Sequence, residues 1–416
     1  MSGQRRLHGE GVVTVSVRNR IDPWLAGIGL MAFIMLLPFS SYVAAFQSVR
    51  EAWQIDGTAA SILYSAYLLG SALSALIFLP QLDRLPVSHV TVAGVAVNIL
   101  THLLFPLLAG GFWSAALLRL AGGGAYIVAY MGGVQWVARR YHLGKGKAVS
   151  IFVGAGYAGT TSSYLLSGLL LEHFGDWRTV YMITAVVSVA ALPLGMWLLA
   201  HSGLETLTRR RRSLDLSVLR LPSLLLVIGV YALHSAELYL ARLWLPQLLG
   251  VNLALHGVQA AEARGVALAG VMFIPGAFSV MAGGWLSDRV GRRRAAAIIF
   301  SISGICSLTL GWLVALPPFL VIGIGFIYGL FTAADSSIYS TAVTEITPGH
   351  QLGSAQAVQS LAGFLVAAVV PVMAGSILDA NESLAGWGFA FTFCASLALI
   401  GLALLQRMRP VAPLPA

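Results

Sequence analysis

The chain is a succession of apolar stretches joined by short polar connections. A helix needs about 20 mostly apolar residues to cross the hydrocarbon core of a bilayer. Twelve such stretches are predicted, over 24–47, 57–80, 89–110, 112–137, 148–171, 179–200, 221–248, 265–286, 295–315, 318–343, 354–378 and 387–406. In lipid only helices and closed barrels satisfy their own backbone polar groups. Barrel strands need apolar and polar residues to alternate over roughly ten positions, and these segments do not alternate. The predicted fold class is therefore an all-α membrane protein with twelve transmembrane helices. Charged residues make up only 10% of the chain, against about 25% in soluble domains. The connections leave no room for a separate soluble domain. The 45 glycines fit lipid too, because small residues let membrane helices approach closely. Gly122, Gly123, Gly124, Gly132, Gly133, Gly154, Gly156 and Gly159 are read as such packing positions.

Charge gives the orientation. With the N-terminus in the cytoplasm, 20 of the 25 Lys and Arg fall on the cytoplasmic side, 3 (Arg50, Arg178 and Arg264) fall outside, and Arg119 and Arg242 lie within spans. That asymmetry obeys the positive-inside rule and predicts both termini in the cytoplasm of a multi-pass inner-membrane protein. The net charge of +9 sits in short loops beside spans rather than on one exposed face, so it is read as an orientation signal and not as a nucleic-acid surface. The first 20 residues are polar and basic and do not form a cleavable signal peptide. Cys306 and Cys394 both lie within spans, and no disulfide framework follows. Two Lys against 23 Arg fits a high-GC bacterial source.

The polar segment 201–220, which contains Arg209 to Arg212, divides the chain. The predicted organisation is a cytoplasmic segment 1–23, a six-helix bundle 24–200, a cytoplasmic linker 201–220, a second six-helix bundle 221–406 and a tail 407–416. The halves look duplicated. Asp83-Arg84 after span 2 matches Asp288-Arg289 after span 8, an offset of 205. Gly146 before span 5 matches Gly353 before span 11, an offset of 207. Trp177 and Tyr181 match Trp387 and Phe391, an offset of 210. Two pseudo-symmetric bundles with a site between them are a transporter architecture, because rocking one against the other alternates access.

Between spans 8 and 9 the chain reads Gly284-Trp285-Leu286-Ser287-Asp288-Arg289-Val290-Gly291-Arg292-Arg293-Arg294. This resembles the loop signature of the major facilitator superfamily. Gly284 is expected to allow close helix contact, Gly291 to permit a sharp turn, and Asp288 to sit near a helix N-terminus, where the dipole favours an anion. The resemblance implies a conformational latch of Gly284, Asp288, Arg289, Gly291, Arg292 and Arg293. Asp335 in span 10 is expected to pair with the Arg cluster. The copy after span 2 has Leu79 and Pro86 where the family has glycine. Arg119 with Gly123 is similar to the family's Arg-x-x-x-Gly element. Gly175-Asp176-Trp177-Arg178 is similar to the family's junction entering span 6. Span 5 lacks the Gly-Pro pair of drug antiporters. Trp244-Leu245-Pro246 resembles the cyanate-permease-like members. The resemblance covers 24 to about 407 and implies a secondary transporter of a small solute. Nitrate carriers of the family place an Arg in spans 2 and 8, and neither span has one here.

Charges within spans are costly and mark function by default. Arg119 is a candidate to bind an anion or to depress a neighbouring carboxyl's pKa, its alternative being to satisfy span carbonyls. Glu237, with His234 one turn earlier, is a candidate proton carrier. Arg242 either lines the cavity or snorkels outward. Tyr126, Tyr231 and Gln359 complete the candidate site, with Tyr42, Tyr130, Tyr157 and Gln356 as weaker cavity positions and His102 as structural. No phosphate-binding loop, nucleophile elbow or metal-ligand cluster is visible, so neither a cofactor nor a metal is expected. The reading is a monomeric, proton-coupled carrier of a small organic or inorganic anion. A drug or metabolite antiporter, an uncoupled facilitator and a membrane enzyme are its rivals.

Overall fold

The structure is a computed structural model that describes residues 22–78, 81, 85–141, 144–202, 215–348 and 351–408. The Asp83-Arg84 copy of the loop signature and the run Arg209 to Arg212 lie outside the described residues. The first half contains α1 (Pro23–Met35), α2 (Ser41–Trp53), α3 (Gly57–Phe78), α4 (Val87–Leu108), α5 (Phe112–Arg140), α6 (Lys145–Phe174), α7 (Trp177–Ser188) and α8 (Ala191–Ala200). The second contains α9 (Pro222–Leu255), α10 (Ala261–Phe273), α11 (Gly276–Val290), α12 (Arg292–Trp312), α13 (Pro318–Ala334), α14 (Ser336–Ile346), α15 (Leu352–Asp379) and α16 (Ala385–Arg407).

These sixteen helices make twelve spans, because four spans are broken: α1 with α2, α7 with α8, α10 with α11, and α13 with α14. Among the described residues, ten spans are long and apolar enough to cross a membrane by composition. The other two have evident reasons for missing that mark. Span 1 is split into pieces of 13 residues. The 30-residue α6 is long enough but rich in Gly, Ser and Thr. Helices also outrun the predicted ends, α9 continuing to Leu255 where span 7 was expected to stop at 248. Their last turns carry polar residues that an apolar stretch does not include.

Two of the four breaks stand at a proline. Pro38 occupies the turn between α1 and α2 and has no N–H to give. The N–H of Ser40 there donates to Ser163 Oγ at 2.9 Å. Pro275 separates α10 from α11, and the nearby carbonyl of Phe273 accepts from the Tyr157 hydroxyl at 3.1 Å. No proline breaks span 10; the interruption falls on Asp335, whose Oδ2 accepts from the Tyr339 hydroxyl at 2.6 Å. At the junction into span 6, Gly175 takes the left-handed conformation at φ 67° and Asp176 caps α7 from Thr179 N at 2.8 Å. The Thr179 hydroxyl bonds to the same carboxylate and holds Asp176 below its ordinary pKa.

Within the first half, helix contacts are made through glycine. A Cβ on Gly123 would lie 1.8 Å from the Tyr67 carbonyl oxygen, and one on Gly70 would lie 1.9 Å from that of Leu120. Among the other predicted packing glycines, Gly159 abuts the Phe33 carbonyl, whereas Gly154 has no neighbour within 4 Å.

The halves are drawn together at the end where α3 and α10 begin. A Cβ on Gly375 of α15 would lie 3.0 Å from the Gly57 carbonyl oxygen, and one on Gly168 of α6 would lie 2.6 Å from that of Ala263. Asp379 of α15 accepts from Gly57 N at 2.9 Å and from Thr58 N at 2.7 Å. Arg264 pairs with Glu172 at 2.8 Å, and Gln247 donates to the Val43 carbonyl at 3.0 Å. The duplication shows in the backbone as well: among the described residues, the two non-glycine residues with positive φ, Gln54 and Ala260, each stand just before these helix starts.

Candidate functional site

Arg242 projects from α9 into the middle of the interface between the halves. Its guanidinium lies 5.2 Å from the Tyr239 ring of its own helix and 5.8 Å from the Phe39 ring of the first half. Tyr157, Tyr164 and Tyr64, all from the first half, are its further electrostatic neighbours. Tyr126 and Tyr130 stack at 5.8 Å beside them. Tyr164 donates to the Arg242 carbonyl at 2.8 Å, which ties α6 to α9 at this level. Among the described residues, no carboxylate forms an ion pair with Arg242. The side chain is half-buried, as are Tyr130 and Tyr157. All three keep part of their surface accessible where the bundles meet. The result is one cation among phenols and a phenyl ring contributed by both bundles. The Arg242 side chain thus faces the aromatic residues of the first half.

Arg119 of α5 is placed differently. It is 4% exposed. Its Nε donates to the Leu63 carbonyl at 3.2 Å and its Nη2 approaches the Tyr64 carbonyl at 3.5 Å. Its guanidinium lies 4.6 Å from the Tyr42 ring and 4.7 Å from the Tyr67 ring. These contacts bind α5 to α3 beside the Gly123 interlock. No carboxyl pairs with it among the described residues, so the geometry matches the carbonyl-satisfying alternative. His102, 4% exposed, is within 2.7 Å of the Asn98 carbonyl through Nδ1.

His234 and Glu237 make their contacts within the second half. Glu237 is 2% exposed, and its Oε2 accepts from Ser303 Oγ of α12 at 3.1 Å. His234 Nδ1 lies 2.9 Å from Asp335 Oδ1, and its Nε2 lies 2.8 Å from Ser336 Oγ. Tyr231 belongs to this group, with its ring 6.2 Å from His234 and against Gly363 of α15. Gln359 of α15 is 5% exposed, whereas Gln356 is exposed. The predicted site therefore separates into an interface cation and an enclosed polar cluster.

The loop signature requires two corrections. Asp335 does not pair with the Arg cluster. Arg292 Nη2 instead meets Glu345 at 2.8 Å, Nη1 meets Asp288 at 2.6 Å, and Ser287 Oγ closes the group. Glu345 is the acid of span 10 that was missed. It lies ten residues beyond Asp335, about 15 Å along a helix at 1.5 Å per residue, at the end of the span that meets the loop. An acid in the last turn of span 10 was the signal that could have found it. Gly284, moreover, is not the close-packing glycine: a Cβ there would be an ordinary 3.4 Å from Ser337 Oγ. Its neighbour Gly283 fills that role, with a Cβ position 1.9 Å from the Ala334 carbonyl oxygen. Gly291 does take a positive φ, 87°. Asp288 meets the first residue of α12 through its side chain. Arg289 stacks on Trp285 at 3.7 Å, and Arg293 reaches the Met408 carbonyl at 3.4 Å.

Two six-helix bundles meeting around an interface cation, with no soluble domain among the described residues, are the architecture of a membrane transporter. The family model of the Major Facilitator Superfamily matches residues 28–316 and again 227–416, and the chain belongs to that superfamily. It is 25% identical over 371 residues to the gallate transporter of Pseudomonas putida, covering 79% of this chain and 78% of the relative. Among solved structures it is similar to the nucleoside transporter NupG, with a TM-score of 0.73 at 11% identity over 93% of this chain and 99% of that one. It is also similar to a bacterial homolog of the human lysosomal transporter Spinster, solved inward-facing and unoccupied, with a TM-score of 0.72 at 13% identity over 94% and 98% of the two chains. The superfamily and these relatives are transporters of small solutes, not enzymes.

Proposed function

We propose that this transporter carries a small organic anion by alternating access, that Arg242 holds its carboxylate, and that a proton gradient drives it. The observation that carries this reading is the half-buried, ion-unpaired Arg242 among phenols and a phenyl ring from both bundles. A guanidinium in a low-dielectric setting binds a carboxylate strongly, and bidentately where geometry allows. Tyrosines add hydrogen bonds and flat apolar faces for an aromatic ring. The likeness to a gallate transporter supports an aromatic carboxylate as the cargo. Because Arg242 and Tyr239 come from one half and Phe39, Tyr64 and Tyr157 from the other, a bound anion touches both bundles. That is what couples occupancy to rocking.

In this reading the moving units are 24–200 and 221–406, joined by the linker, and the protein works as a monomer. The Lys and Arg asymmetry sets both termini in the cytoplasm of an inner membrane. The end closed by Asp379 and Arg264 then faces outward, so this is a conformation shut toward the outside. Proton coupling is supported by the enclosed acids of the second half.

Purified protein in liposomes tests the proposal. Gallate and benzoate should be taken up, and an imposed proton gradient should concentrate them by about tenfold per pH unit for one proton per anion. Arg242→Ala should abolish uptake and ligand-induced thermal stabilisation. Uptake that only equilibrates would make the protein an uncoupled facilitator. Unchanged uptake by Arg242→Ala would remove the anion site.

A further inference from the structure

The enclosed cluster of the second half sits on a mechanical element. Span 10 is interrupted at Asp335, between α13 and α14, with no proline to explain the break. His234 of α9 touches both sides of the interruption, Asp335 through Nδ1 at 2.9 Å and Ser336 through Nε2 at 2.8 Å. Tyr339, one turn into α14, donates to Asp335 Oδ2 at 2.6 Å. The far end of α14 carries Glu345, the partner of Arg292. One buried group thus spans the joint of the helix arm that ends on the loop latch.

The cluster also has unserved acceptors. Asp335 Oδ1 is near His234 but off the hydrogen-bond axis, and neither it nor Glu237 Oε1 has a hydrogen-bond donor. A buried carboxylate oxygen without a donor is costly, and a positive charge on the adjacent imidazole offsets part of that cost. The titratable groups facing the pair are Glu237 and Tyr231 from α9 and Tyr339 from α14. Tyr328 of α13, Cys306 of α12 and Cys394 of α16 surround Glu237. No Lys or Arg forms an ion pair with either acid among the described residues. Nor do three His, Cys, Asp or Glu side chains converge to hold a metal ion there, among the described residues.

We propose that the His234–Asp335 pair is the coupling-proton site and that its occupancy sets the joint between α13 and α14. With Nδ1–H turned to Asp335, Nε2 accepts from the Ser336 hydroxyl. A proton added at Nε2 makes that nitrogen a donor. Ser336, the first residue of α14, must then turn its hydroxyl away and accept, and the imidazolium and carboxylate become an ion pair across the joint. Removing the proton reverses both steps. The joint has two bonding states, one per protonation state, and α14 transmits the difference to Glu345. The substrate need not touch the cluster, because both act on the same bundle movement. The inference rests on the proton-coupled reading above and names where the proton sits.

The test compares His234→Gln and Asp335→Asn with Glu237→Gln and the unaltered protein, in liposomes with gallate as probe. Gradient-driven accumulation should be lost in the first two, while exchange of labelled for unlabelled gallate at equal pH persists within a few-fold. In a second measurement, Ser340→Cys, at an exposed position of α14, reports labelling rate against pH. That rate should change several-fold in the parent and become flat when His234 or Asp335 is replaced. Accumulation retained in both variants, with a labelling rate at position 340 that still depends on pH, overturns the site while leaving proton coupling standing. Loss confined to Glu237→Gln moves the proton to Glu237 and also overturns it. A parent protein that never accumulates gallate but exchanges it refutes the coupled reading itself. If both variants lose exchange with a lowered thermal transition, the pair is only structural and the proposal fails.

Discussion

Thr58 gives both its backbone N–H and its hydroxyl to Asp379, at 2.7 and 2.6 Å, across the interface between the two bundles. The carboxylate adds a second cap to α3, beside that of Asp56 on Ala59 N at 2.7 Å, although it is 321 residues away from Thr58 in sequence. Helix N-termini have unpaired N–H groups and a positive end of the helix dipole, so a capping acid contributes about 1 kcal/mol. Here that stabilisation belongs to one conformation only, the one in which Gly375 and Gly57 touch. Asp379→Ala should therefore shift the population several-fold toward opening at this end. Reactivity of Gln47→Cys, which lines the roughly 330 Å³ pocket beside Asp379, measures it. A rate equal to that of the parent would show the cap to be dispensable.

The two intramembrane arginines should fail differently. Arg119 is spent on the carbonyls of Leu63 and Tyr64 and on two tyrosine rings. Removing it takes a second donor from two helical carbonyls that keep their backbone partners, and loses the contacts with the tyrosine rings, at about 0.5–2 kcal/mol each. Arg119→Ala should lower the thermal transition by several degrees and reduce the amount of folded protein. Arg242→Ala should fold as the parent does and lose anion binding. Thermal unfolding with and without gallate separates the two. Matching behaviour would cancel the division of labour.

Gly283 and Gly284 make a sharper contrast, because they are adjacent. A methyl group on Gly283 would meet the Ala334 carbonyl at 1.9 Å, so α11 must move off α13. Overpacking of this kind costs about 1–3 kcal/mol. Gly284→Ala meets only Ser337 Oγ at 3.4 Å and should be neutral. Expression and thermal stability of the two alanine variants check the order, and the reverse order would refute the packing assignment.

How much of this was legible depended on the range of the interaction. Helix number, duplication and the latch loop are written in local runs of residues, since twenty apolar positions or a Gly-Asp-Arg-Gly spacing need no partner to be recognised. Which residue meets which is not local. Asp335 and Glu345 both lie in span 10, and only the rise along the helix decides which of them reaches Arg292. Arg119 and Arg242 read alike as charges in lipid, yet one meets backbone carbonyls and the other meets phenols across an interface. Gly283 and Gly284 are indistinguishable until the neighbouring helix is placed. Asp379 reads as an acid at the end of a span and gives no sign of a partner 321 residues away. The Arg242 group was found only in part: Tyr126, Tyr130 and Tyr157 were expected, while Phe39, Tyr64 and Tyr239 come from three different helices or turns with no shared pattern.

The loop signature, whose Arg292 meets Glu345, gives the remaining prediction. Arg292 holds α11, α12 and α14 together through Asp288, Ser287 and both oxygens of Glu345. Its side chain is 22% exposed and that of Glu345 is 28% exposed. Solvent therefore screens the pair, and its removal should cost only about 1 kcal/mol. The consequence should be conformational rather than global, because α14 loses its tie to the start of α12 while the bundle core is untouched. Glu345→Gln should leave the unfolding temperature within a few degrees of the parent. It should raise the labelling rate of Ser340→Cys several-fold. Arg292→Glu combined with Glu345→Arg restores the charge pair in reverse, although Asp288 then faces an acid. Added Asp288→Asn should relieve that repulsion and return the labelling rate toward the parent value. If the reversed pair with Asp288→Asn labels no more slowly than Glu345→Gln alone, charge pairing is not what holds α14.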